Sequence, residues 1–207
     1  SPNGKHIAMT VIRGSQINLY TVDIKSSKAK LLFKSPLNTI YGSSFYWLSN
    51  SKGLIAKTII SGRGDPPKVS SAPKGPVVQE SLGKKAAVRT YQDLLTNSYD
   101  EVLFKYYMTA QVVYVDLKGK TKKIGKPGII RRNEPSPDGN YILLETIHQP
   151  FSYLVPLYRF PILVEVLDIE GNLVHTLRDI PLAESIPIGR DAVISGPRSF
   201  GWRADLG

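Results

Sequence analysis

Cysteine is absent from these 207 residues. That excludes disulfides and thiolate metal ligands and leaves the compartment open. Histidine is scarce: His6, His148 and His175 show no paired metal-ligand spacing, so structural or surface roles are expected and no metal site is assigned. No cofactor is expected either. No apolar run approaches the ~20 residues that cross a bilayer, so no membrane partner is expected. A long basic run is also missing, despite a formal net charge of +10. Lys84, Lys85, Lys118, Lys120, Lys122 and Lys123 lie mostly in turns, and Arg131-Arg132 stands alone. No aromatic-basic motif of an RNA-binding module accompanies them. Solvated turn lysines explain the charge, and no nucleic-acid partner is expected.

What is present is a repeated phrase. Ser136-Pro137-Asp138-Gly139-Asn140 is a tight polar turn that launches the apolar run Tyr141–Leu144. Pro presets φ, Asp can bond its own backbone, and Gly accepts positive φ. Ser1-Pro2-Asn3-Gly4-Lys5 opens the chain with the same phrase, and Leu48–Gly53 carries a degraded copy. A second pattern recurs with it: a strand ending in Asp-apolar, a polar turn, and a returning strand. It occurs at Ile17–Phe33, at Gln111–Ile124 and at Leu163–Leu177. Repeated turn-strand units of this length predict β-propeller blades. The expected fold is therefore all-β, a partial propeller of roughly three and a half blades. The fourth unit begins at Pro197 and breaks off. A propeller must close to hide its edges, so residues 1–207 are expected to be a segment of a longer propeller domain.

The spacing of the repeats locates insertions. The longer one falls at about residues 61–108. It opens as a Gly-, Pro- and Ser-rich loop and ends in a predicted helix pair, about Tyr91–Thr96 and Tyr99–Met108. Thr90 with Asp93 imitates a capping box, and Ser98 with Glu101 forms a proper one. Tyr99, Val102, Leu103 and Tyr106 would share one helical face. The shorter insertion, Ile147–Pro161, is aromatic and carries three prolines. Long inserts between blade strands serve binding or packing on another domain.

Several longer strings resemble one family. Gly75–Glu80, Gly83–Ala86, Arg89–Leu95, Ser152–Pro156, Arg159–Pro161, Pro181–Glu184, Ile186–Arg190 and Gly196–Arg203 are similar to the glutamyl endopeptidases of the chloroplast type and their bacterial relatives, within the prolyl oligopeptidase superfamily of serine peptidases. The resemblance implies a propeller that caps a catalytic α/β-hydrolase domain of the same polypeptide. It implies a peptide substrate cleaved after glutamate, with Ser, Asp and His all in the hydrolase domain. The nucleophile would sit in a G-x-S-x-G elbow, and no such string occurs here. Ser15, Ser43, Ser44 and Ser195 lie near glycines without the pattern. No catalytic residue is assigned, the hydrolase domain is expected to be absent from this chain, and its role would be to gate access and help bind peptide. The alternative is a stand-alone propeller acting as a protein-interaction platform.

A substrate carboxylate calls for a bidentate cation, which singles out Arg89, Arg132, Arg159, Arg190 and Arg198. Of these, Arg159, Arg190 and Arg198, with Tyr153, are the candidate substrate-binding residues. Bracing of loops against backbone carbonyls is the favoured reading for any single arginine. Tyr153, Tyr158 and Phe151 are expected to fill space between blades. Trp47 and Trp202, in the matching strings Ser44–Trp47 and Ser199–Trp202, are expected to pack.

Overall fold

A computed structural model describes residues 1–68, 91–187 and 192–203. The repeated turn phrase has one geometry in both full copies. In the first, Gly4 N–H donates to Ser1 O, His6 N–H to Ser1 Oγ and Lys5 N–H to Asn3 Oδ1. In the second, Gly139 N–H donates to Ser136 O, Tyr141 N–H to Ser136 Oγ and Asn140 N–H to Asp138 Oδ1. Ser and Asx side chains thus satisfy the turn's backbone, which is why the phrase repeats. The recurring strand-end Asp has a similar explanation. Asp23 accepts from Ser26 N–H, Asp116 from Lys118 and Lys120 N–H, and Asp168 from Asn172 N–H. Side-chain donors Ser26 and Asn172, then these backbone donors, hold the Asp23 and Asp168 carboxyls below the usual range.

Strands β1 (His6–Arg13), β2 (Gln16–Asp23) and β3 (Lys28–Leu31) form a three-stranded antiparallel meander in chain order, as expected. Seven further strands form one continuous sheet: β4 (Phe45–Trp47), β5 (Gly53–Ile59), β6 (Thr109–Asp116), β7 (Thr121–Pro135), β8 (Tyr141–Ile147), β9 (Ile162–Asp168) and β10 (Leu173–Ile180). Separate blades would give separate sheets. Here β7 is 15 residues long; residues 121–129 pair with β6 and residues 129–135 with β8. The outer strand of one unit runs into the inner strand of the next, because 125–128 carry no hydrogen-bonded turn. Register shifts at Ala110/Val112 and Ile130/Arg132 break the sheet at this point, and Gly125 sits at φ 60°.

The sheet therefore reads as two four-stranded units sharing β7, and it curls so that they face each other. Ile55, Val112 and Ile124 of one unit pack with Ile142, Leu144 and Leu167 of the other. The meander packs on the first unit through Leu19, Ala8 and Ile17 against Leu54, Ala56, Val113 and Val115. Residues 198–203 run beside β7: Arg132 Nη1 donates to Phe200 O at 2.6 Å and Trp202 Nε1 to Glu134 O at 3.1 Å. The architecture is all-β and is part of a β-propeller, with one helical insertion.

That insertion departs from expectation in three ways. Helix α1 (Ser98–Met108) forms, but its cap is Asn97, which accepts from Tyr99 and Asp100 N–H. Asn97 supplies the cap one residue before Ser98, and Glu101 is bonded elsewhere. Residues 91–96 make no helix, and Asp93 has φ 57°, incompatible with one. Thr90 lies outside the described residues. The docked face is also different: Phe104 and Met108 join Leu95 on the core formed by Ile129, Leu143, Ile147 and Phe160, while Val102 is exposed.

Contacts sort the connections. Asn3 N–H donates to Ser51 Oγ, Gly139 lies against Ser49 and Lys122 pairs with Glu170, so the 1–5, 48–52, 136–140 and 169–172 turns gather at the end where β7 begins. The described parts of the long connections meet at the other end: Asn38 reaches the Tyr107 carbonyl, Phe104 meets Phe151, and Arg159 reaches the Ala183 and Ile186 carbonyls.

Candidate functional site

The long-connection end is held together by arginines, and their guanidinium groups mostly meet backbone carbonyls. Arg159 sits on the short 3-10 turn Leu157–Arg159 inside the aromatic insertion. Its Nη1 donates to Ile186 O at 2.6 Å and Ala183 O at 3.3 Å, and its Nη2 to Pro187 O at 3.5 Å. Arg178 on β10 donates to Ser195 O at 2.5 Å and to Pro197 O. Gly196 between them, at φ 80°, leaves no room for a Cβ beside that guanidinium. Arg132 on β7 donates to Phe200 O. Three side chains from separate elements thus fix residues 183–187 and 195–200.

Arg132 also belongs to a charge cluster. It lies opposite Glu145 across the β7–β8 pair. The Glu145 side chain is only 8% exposed, and it meets Arg131 Nη1 at 3.2 Å and Arg132 Nη1 at 3.6 Å. Arg132 Nη2 contacts Glu134 as well. Two cations around one buried carboxylate satisfy the rule that buried charge is paired.

Lys57 breaks that rule. It lies on β5, is 2% exposed, and forms no ion pair with the described residues. Its Nζ donates to Tyr41 O, and burial pushes its pKa down to about 8. The carbonyl it reaches belongs to a tight loop. Gly42, at φ 64°, would place a Cβ 2.8 Å from Arg131 O, so the loop lies directly on β7. Asn38 anchors the start of that loop to the Tyr107 and Thr109 carbonyls at the end of α1.

The aromatic insertion packs through Phe151 as expected, but Tyr158 is 59% exposed and fills no space between blades, because it sits on the 3-10 turn at the surface. Phe151 stacks on Phe160 with centroids 5.5 Å apart and meets Phe104 edge-on at 5.0 Å. Tyr153 donates to Glu101 Oε1 at 2.9 Å, joining the insertion to α1, and this bond raises the hydroxyl's pKa. Trp47 and Trp202 both pack at core edges. Arg198 is exposed and makes no hydrogen bond or ion pair with the described residues. Arg89 and Arg190 lie outside the described residues.

The structure therefore brings Arg132, Arg159 and the Arg198 segment to one end and ties Tyr153 to the helix beside them. Lys57, Arg131, Glu145 and Arg178 were not singled out from sequence. Lys57 did carry a signal, as the one charge inside the apolar run Gly53–Ile59. Glu145 likewise interrupts an apolar strand. The partners of Arg178 follow only from tertiary placement.

A curated relative from Oryza sativa subsp. japonica, described as "Probable glutamyl endopeptidase, chloroplastic", is 41% identical over 99% of this chain. A protein of the same description from Arabidopsis thaliana is also 41% identical over 99%. The chain is homologous to the glutamyl endopeptidases of the chloroplast type. It spans 23% and 22% of the length of these two relatives, so the homologous stretch is part of a larger peptidase polypeptide in them. No family model matches the chain. Among solved structures, an acylaminoacyl peptidase from Pyrococcus horikoshii is similar with a TM-score of 0.47 and 14% identity, over 87% of this chain and 24% of that one.

Proposed function

We propose that residues 1–207 are a non-catalytic propeller segment of a serine endopeptidase of the glutamyl type. In this reading the long-connection end faces the α/β-hydrolase domain of the same polypeptide, limits access to its active site and helps to bind the peptide. The single observation that carries it is the homology over 99% of this chain to about a quarter of a peptidase. The topology supports it, since the described parts of the long connections meet at one end. Hydrolysis would proceed through an acyl-enzyme on a serine outside the chain.

Arg198 is the proposed contact for a substrate carboxylate, because it is exposed and uncommitted among the described residues, while Arg159 is spent on loop carbonyls. The test uses the whole polypeptide that contains this chain. A fluorophosphonate should label a serine outside residues 1–207, and Arg198→Gln should lower kcat/KM for glutamyl peptides selectively. Arg159→Gln should lower it for all substrates alike. Labelling within residues 1–207, or no peptidase activity in the parent, refutes the reading in favour of an interaction platform.

A further inference from the structure

Strand β3 is an edge of the meander and pairs, among the described residues, with β2 alone. Its residues, Lys28-Ala29-Lys30-Leu31, are all exposed. Antiparallel ladders alternate between residue pairs that exchange both hydrogen bonds and pairs that exchange none. Leu32 N–H donates to Leu19 O at 2.9 Å, so Lys28, Lys30 and Leu32 direct their main-chain groups toward β2. Ala29 and Leu31 direct theirs away from it, into the open edge. Side chains alternate as well. Register places Lys28 opposite Asp23 and Lys30 opposite the buried Thr21, on the face turned to the first four-stranded unit.

The β6–β7 turn of that unit reaches the same edge. Lys30 Nζ donates to Leu117 O at 2.7 Å. Gly119, at φ 91°, lies against Leu32 O with no room for a Cβ. Lys118 and Lys120 flank that glycine, and Lys34 follows β3. All of these lysines are exposed, and none forms an ion pair with the described residues. The carboxylates closest to them in the chain are already bonded. Asp23 accepts from Ser26 and faces His6 at 3.7 Å, and Asp116 accepts from the Lys118 and Lys120 amides. Lysines that stand far apart in the sequence thus gather along one sheet edge.

We infer that the β3 edge receives an extended acidic polypeptide as an added strand. The open ladder at Ala29 and Leu31 offers main-chain donors and acceptors, which select a polypeptide over a lipid headgroup or a nucleic acid. Lys28 and Lys30 recur with the two-residue period of a strand. Acidic residues at alternate positions of the incoming segment would stand across from them, where opposite charges stabilise a pair. The positions between would meet Ala29 and Leu31 and call for apolar residues. Lysine on an edge repels a second copy of the same edge, whereas a strand of opposite sign is attracted. The inference goes beyond the peptidase reading and does not need it, since binding requires no catalytic serine.

The test uses the whole polypeptide that contains this chain, treated with fluorophosphonate, and a fluorescein-labelled peptide of alternating glutamate and valine. Anisotropy should show binding at low salt that weakens at physiological ionic strength. Lys30→Gln combined with Lys118→Gln and Lys120→Gln should weaken it by about tenfold or more. The same charge change elsewhere, Lys52→Gln with Lys68→Gln and Lys126→Gln, should leave it unaltered. The same peptide N-methylated at its valines cannot pair with the ladder and should bind about tenfold or more weakly to the unaltered protein. No binding of the unmethylated peptide overturns the inference, and so does binding that survives either the β3-edge substitutions or the methylation. Binding of phosphatidylserine vesicles or oligouridylate in place of the peptide also overturns it, in favour of a lipid surface or a nucleic acid. A parent that lacks peptidase activity yet binds the peptide in this way refutes the peptidase reading and leaves the inference standing.

Discussion

Lys57→Met is the perturbation with the most distinctive expected result. The ammonium is buried at 2% exposure with the Tyr41 carbonyl as its acceptor. Its pKa falls from 10.5 to about 8 because burial penalises the charged form. At about 1.4 kcal/mol for each pH unit, that fall corresponds to about 3.4 kcal/mol. Residual water around the amine screens part of it, leaving about 2 kcal/mol. Below pH 8 the amine is charged in both the folded and the unfolded chain, and folding carries the full penalty. Between about 8 and 10.5 the unfolded chain holds more protons than the folded one, so stability rises with pH. Above 10.5 both forms are neutral and the penalty is gone. Methionine keeps the stem but leaves the Tyr41 carbonyl unpaired, at a cost of about 1 kcal/mol. The variant should therefore be about 1 kcal/mol more stable at pH 7 and about 1 kcal/mol less stable near pH 10.5. Urea denaturation of both proteins at pH 7, 8, 9 and 10 reads the difference, in which other titrating groups cancel. A difference that stays flat across that range refutes the account of Lys57 as a buried, uncompensated cation.

Two further substitutions test the packing of the long-connection end. Arg132→Leu removes one of two cations from a Glu145 side chain that is 8% exposed, and should cost about 3 kcal/mol in denaturant unfolding. Adding Glu145→Gln should recover part of that loss, and a fully additive double variant would contradict the pairing. Gly42→Ala meets both a φ of 64° and the Arg131 carbonyl at 2.8 Å. It should cost about 1–3 kcal/mol, whereas a neutral result would show that the loop is free to lift from β7.

The turns and the meander were legible in the sequence because their causes are local. Ser1 and Ser136 bond amides within five residues, and Asp23, Asp116 and Asp168 accept from the turn that follows each of them. Such patterns survive in the order of residues. The run through 125–128 was not legible. The next unit was expected to start at the Ser136 turn, but whether a strand breaks depends on which neighbour it pairs with, and β7 changes partners ahead of that turn without stopping. The helix ahead of Thr96 failed for a different reason. Thr96 N–H and Oγ donate to Asp100 instead, and Asn97 claims the cap. At the site, arginines could be singled out by type, but their carbonyl partners lie 17 to 68 positions away. No spacing rule connects them.

The choice of carbonyls over carboxylates has an electrostatic consequence. Arg159 and Arg178 each spend their donors on backbone oxygens and meet no carboxylate among the described residues within ion-pair distance. A carbonyl satisfies the hydrogen bonds of a guanidinium without cancelling its charge, and arginine does not deprotonate in proteins. The loop is fixed, yet the charge that fixes it remains. Had Glu or Asp served as the anchor, the same rigidity would have come with local neutrality, as it largely does where Arg131 and Arg132 enclose Glu145. Arg159 and Arg178 thus brace this end without a neutralising carboxylate among the described residues. At 10 Å in water each such charge attracts an acidic group by only about 0.4 kcal/mol. Several charges together, next to low-dielectric walls, raise the local concentration of anionic ligands before any single contact forms.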